Sequence, residues 1–94
     1  MIKIFKWDKE KNTKLIKERG ISFEMISKAI EDGHLLDIID NPSRSNQRLF
    51  IVKLGDYAIL VPFVLAEDHV FLKTAYPSRK YTKKYLRWLW KNVF

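Results

Sequence analysis

Apolar and polar positions alternate at the start of the chain, with Ile2, Ile4 and Lys6 set against Lys3, Phe5 and Trp7. A period of two predicts a short first strand. Asp8 then stands where an N-cap belongs, and Gly20 where a helix ends, which predicts a helix over Lys9 to Arg19. That helix has only Leu15 and Ile16 as apolar anchors, so most of its circumference must face solvent or a partner. Ser22 caps a second helix, with Ile21 and Ile26 spaced as a hydrophobic staple and Gly33 at its end. Phe23, Ile26 and Ile30 share one face of it, flanked by Met25 and Ala29.

The pattern then changes to short apolar runs. "LLDIID" predicts a strand stopped by Asn41-Pro42 and a polar turn through Asn46. "RLFIVKL" and "YAILVPFVL" predict an antiparallel hairpin turning at Gly55-Asp56. The run from Tyr57 to Leu65 is apolar on both faces, which predicts a central strand covered on each side. Pro62 conflicts with that position, because proline cannot donate to a ladder; a bulge, or an edge position near that end, is the expected resolution. After a turn at "EDH", "VFLKTAY" predicts a further strand, and a last helix begins after Ser78 and runs towards Phe94. The order β-α-α-β-β-β-β-α gives an α+β fold: a largely antiparallel β-sheet with two N-terminal helices and one C-terminal helix.

A chain of 94 residues suits a single domain, and 47% hydrophobic against 31% charged residues predicts a folded one. Without cysteine, disulfides, thiol catalysis and thiolate metal sites are excluded. The start lacks the apolar core of a signal peptide and no segment reaches membrane-spanning length, so the expected location is cytoplasmic.

The net charge of +7 is unevenly spread. Residues 1–20 carry seven cations against three acids (+4), and residues 21–42 one cation against five acids (−4). Residues 43–75 come to +1, and residues 76–94 carry six cations and no acid. Basic chain ends brought together by folding would make a concentrated field, for which a polyanion such as RNA is the natural partner.

The segment "YPSRKYTKK", residues 76–84, concentrates this chemistry. Ser78 is a credible N-cap, so Arg79 and Lys80 fall in the first helical turn, where the helix dipole disfavours cations. An incoming phosphate reverses that sign, since amides, dipole and Arg79 would all point at one anion. Lys83 and Lys84 extend the basic face, while Tyr76, Tyr81 and Tyr85 offer rings for stacking and hydroxyls for hydrogen bonds or proton transfer. Tyr85 equally suits the inner face of the helix beside Leu86, Leu89 and Trp90, and Trp88 lies off that stripe.

These residues resemble a family. "FKWDKEKNTKLIKERGISFE", residues 5–24, is similar to the opening signature of BrnT-type toxins, and "SRKYTKK", residues 78–84, to the segment that opens their final helix. Trp7, Asp8, Lys11, Asn12, Gly20, Phe23, Glu24, Arg79, Lys80 and Thr82 match that pattern. A Lys-His pair before the glycine is replaced by Glu18 and Arg19, with Lys17 one place earlier, and Arg48 opens a strand much as a family arginine does. The resemblance implies a RelE-like fold and a ribonuclease toxin of a type II toxin–antitoxin module. It further implies cleavage of RNA, as mRNA, without metal or other cofactor, and neutralisation by a ribbon-helix-helix type antitoxin.

On this reading Arg79 stabilises the phosphorane formed when a ribose 2′-hydroxyl attacks its own phosphate, with Arg48, Arg19 and Lys17 as helpers. Tyr76, Tyr81 or Tyr85 would transfer a proton or stack, and Lys11, Lys80, Lys83 and Lys84 would bind RNA. The alternative is a basic module that binds nucleic acid or an antitoxin without catalysis. A third reading is an interaction protein whose basic ends meet an acidic partner chain. His34 and His69 have no paired spacing and read as surface residues, and the acidic segment holding Glu31, Asp32, Asp37 and Asp40 reads as a solvated edge.

Overall fold

The computed structural model describes residues 4–86. The first strand, β1, spans Ile4–Trp7. Asp8 caps the helix α1 (Lys9–Arg19) by accepting from the Glu10 and Lys11 amides. Gly20, at φ 69°, ends α1 in the left-handed region that an L side chain rarely adopts. Ser22 caps α2 (Phe23–Glu31) by accepting from the Met25 amide. This helix stops at Asp32, one residue before the expected Gly33, because the Gly33 and His34 amides already turn back to the Ile30 and Ala29 carbonyls.

Strands β2 (Leu35–Asp40), β3 (Arg48–Leu54) and β4 (Tyr57–Leu65) follow as an antiparallel meander. The run expected as one strand, "VFLKTAY", is divided into β5 (His69–Leu72) and β6 (Tyr76–Pro77), and both pair with β4. Ser78 then caps α3 (Arg79–Tyr85). The sheet order is β1-β5-β4-β3-β2, with β6 also on β4, and β1 lies parallel to β5. The fold is therefore α+β with a mostly antiparallel sheet, as the hydrophobic pattern predicts. The expected continuation of the last helix, with Trp88, Leu89 and Trp90, lies outside the described residues.

Alternation along β3 and β4 sends successive side chains to opposite faces, and each face has its own core. On one, Leu15 of α1 and Phe23, Ile26 and Ala29 of α2 pack on Phe50, Val52, Ile59, Val61 and Phe63. On the other, Tyr81 and Tyr85 of α3 pack on Leu49, Ile51, Ala58 and Leu60. Covered on both sides, β4 is the central strand its composition demands.

Pro62 sits inside that central strand, paired with Leu49 in an unbroken register. Neither a bulge there nor an edge position accommodates it. In an antiparallel ladder the N–H and C=O of one residue point to the same neighbour. The Pro62 carbonyl accepts from the Lys73 amide at 2.8 Å, so its missing donor also faces that side. There the last β4–β5 pair is Phe63 with Leu72, and β6 joins only at Leu60. The proline thus occupies a gap in the ladder, where residues 73–75 leave one strand and start the next.

Two polar side chains fix the helices. Asn12 of α1 is buried; its Oδ1 accepts from the Phe23 amide and its Nδ2 donates to Glu24 Oε1, both at 2.7 Å. Trp7 stacks on Phe23 beside this clamp, with ring centroids 5.6 Å apart. Thr82 of α3 is fully buried; its Oγ1 accepts from the Ala58 amide at 2.8 Å and donates to the Ser78 carbonyl at 2.6 Å.

Candidate nucleic-acid interface

With Tyr81 and Tyr85 turned to the sheet and Thr82 buried, α3 sends Arg79, Lys80, Lys83 and Lys84 into solvent. This seven-residue helix holds no acid in its first turn or anywhere along it. Tyr81 and Tyr85 stack at 6.1 Å with their planes 25° apart. Lys80 lies 5.5 Å from the Tyr81 ring centroid, and Lys84 lies 5.9 and 5.5 Å from those of Tyr81 and Tyr85. The rings therefore hold two of the cations by their negative faces without neutralising them. The Arg79 side chain makes no hydrogen bond or ion pair with another described residue.

The Tyr85 hydroxyl is already committed. It donates to Asp37 Oδ2 at 2.6 Å, reaching β2 where the register shifts between Leu35 and Asp37. That bond to Asp37, with burial as a smaller cause, pushes the phenol up to about 12. The same bond, with the Ile38 amide, holds the Asp37 carboxyl below the usual carboxylate range. Tyr85 keeps its proton near neutrality and anchors α3, a poor disposition for a general base.

The other expected catalytic residues lie elsewhere. Lys17 and Arg19 are exposed in the last turn of α1, the end of a helix that favours cations. Arg48 alternates with Phe50 and Val52 and so points to the α1/α2 side, where its Nε is 3.4 Å from Asp40 Oδ1. The sheet separates these three from α3. Arg79, Lys80, Tyr81, Lys83, Lys84 and Tyr85 are brought together; Arg48, Lys17 and Arg19 do not join them.

Lys11, half-buried on α1, lines a cleft of about 400 Å³ with Asn41, Arg44, Lys73, Thr74 and Tyr76. Of these, sequence reasoning singled out only Lys11 and Tyr76. Arg44 and Lys73 are isolated cations in unremarkable contexts, and nothing local places them beside α1. Of the histidines, His69 is held 2.8 Å from Asp68, whose carboxyl is lowered by that contact. Among the described residues no group of three or more His, Asp or Glu gathers to hold a metal ion. Compared with models of protein families, with curated proteins and with solved structures, the chain matches none.

Proposed function

We propose that the protein binds RNA and cleaves it in the manner of a small ribonuclease toxin. A ribose 2′-hydroxyl attacks the adjacent phosphorus, the bond to the 5′-oxygen breaks, and a 2′,3′-cyclic phosphate and a 5′-hydroxyl result. The observation that carries the reading is the exposed surface of α3, four cations on seven residues with no acid among them. Such a surface repels itself in isolation and gains when a polyanion neutralises it. Arg79, whose side chain has no hydrogen-bond or ion-pair partner among the described residues and which stands nearest the helix start, is the residue that takes up charge on the phosphorane. Lys80 and Lys84, steadied over tyrosine rings, hold the flanking phosphates. A protein partner that covers α3 would silence the activity; the resemblance to BrnT-type toxins makes a ribbon-helix-helix type antitoxin the expected one.

A second reading, RNA binding without cleavage, is favoured by the Tyr85–Asp37 hydrogen bond, which withdraws one proton carrier. Arg79→Ala separates the two. On the catalytic reading it lowers the cleavage rate about 100-fold, the usual cost of removing one donor to a developing oxyanion, and abolishes growth inhibition on expression. RNA affinity falls far less. Unchanged cleavage and toxicity in Arg79→Ala would remove the assignment.

A further inference from the structure

The cleft between α1 and the β2–β3 loop opens where the sheet is interrupted and reaches Tyr76, which packs on the same core as Tyr81 and Tyr85 of α3; it has a cause in the sequence. Because Pro62 offers no donor, the chain leaves the β4 ladder after the Lys73 amide bonds the Pro62 carbonyl, and rejoins it at Tyr76. The gap opens beside Pro62, which lines the cleft. Three segments wall it: α1 with Lys11, the β2–β3 loop with Asn41 and Arg44, and the 73–76 segment with Lys73, Thr74 and Tyr76. The loop is internally braced, since the Ser43 amide donates to Asn41 Oδ1 at 2.9 Å and the Gln47 amide to the Arg44 carbonyl at 3.1 Å.

Three cations face this recess, and among the described residues no carboxylate lines it. None of the three forms an ion pair among the described residues; Lys73 instead rests 5.4 Å from the Phe71 ring. A smaller depression of about 210 Å³ shares Lys11 and Thr74 with the cleft and continues along α1 past Lys14 and Glu18 to Arg19. From Lys11 to Arg19 the helix rises about 12 Å, more than one phosphate can bridge, so the surface suits a linear polyanion rather than a lone anion. Half-buried Tyr76 supplies a ring for one base, and Thr74 and Asn41 supply polar groups beside it. A splayed nucleotide can enter a recess, whereas the phosphates of a duplex lie on a convex cylinder that cannot follow it in.

We propose that this cleft binds single-stranded RNA, with Lys11, Arg44 and Lys73 on successive phosphates and a base against Tyr76. The identity of the strand as RNA rests on the function proposed above; the preference for a single strand rests on the cleft itself. The test measures fluorescence anisotropy of a short labelled 2′-O-methyl RNA, which cannot cleave itself, alongside single-stranded DNA and the RNA duplex, each across a salt series. Lys11→Gln, Arg44→Gln and Lys73→Gln are compared with Lys28→Gln, an exposed charge on α2 outside the cleft. Each cleft variant should weaken single-strand binding about threefold to tenfold and shrink the log–log salt slope by about 0.7, while Lys28→Gln leaves both unchanged. Duplex binding should be weaker and insensitive to the cleft variants. Single-stranded DNA binding as tightly as the RNA, with the same variants impaired, would keep the cleft and overturn the RNA reading. A folded triple variant that binds like Lys28→Gln would overturn the cleft.

Discussion

Tyr85 shows how one hydrogen bond changes what a residue can do. From the sequence its phenol could carry a proton, stack, or line the helix; Asp37 settles the matter by accepting its hydrogen at 2.6 Å. The phenol is raised to about 12, above its unfolded value near 10, so its contribution to stability is full below about pH 10. That contribution is lost as pH climbs through the folded value. The Asp37 carboxyl is shifted the other way, so its share is present above the ordinary aspartate value near 4 and is lost as pH falls below it. Spectrophotometric titration should find one of the four tyrosines ionising near 12, and Tyr85→Phe should remove that step. A titration with no step near 12 would mean that the bond does not form in solution. Asn12 was visible in the sequence only as a letter matching a motif; its role, clamping α2 to α1 through the Phe23 amide and Glu24, depends on a contact across the chain reversal at Gly20.

At the scale of elements, the helices announce themselves because their signals are local. Asp8, Gly20, Ser22 and Ser78 are capping residues whose side chains or backbone do what those residue types do wherever a helix begins or ends. The strands are legible as runs but not as neighbours. Nothing local places β1 parallel beside β5, and the division of "VFLKTAY" follows from Pro62 in a strand distant along the chain. The same lack of local signal hid the cleft, whose walls come from three separate segments. Docking of α3 likewise rests on distant contacts, Tyr85 with Asp37 and Thr82 with Ala58. Thr82 satisfies the Ala58 amide inside the core, so Thr82→Val, which keeps the shape and removes the acceptor, should cost about 1–3 kcal/mol. Urea denaturation measures this, with Thr82→Ser expected to retain most of the stability. A Thr82→Val protein as stable as the parent would show that α3 is held by its tyrosines alone.

For the whole molecule, the sequence set a condition: the basic chain ends make one concentrated field only where folding brings them together. Folding puts α1 and α3 on opposite faces of the sheet, so the positive charge of these two helices is presented on two surfaces. The residues that match the toxin pattern divide accordingly. Trp7, Asp8, Asn12, Gly20, Phe23, Glu24 and Thr82 build caps, clamps and core, while Lys11, Arg79 and Lys80 remain for a ligand. Scaffold was therefore the more legible part of the resemblance, and chemistry the less. The central claim is that this basic scaffold cleaves RNA through its own cations. Incubating the purified protein with single-stranded RNA in excess chelator, and analysing the ends of the products, tests it most directly. The account predicts fragments ending in 2′,3′-cyclic phosphate, formed equally with and without chelator; intact RNA, or cleavage that the chelator stops, would contradict it.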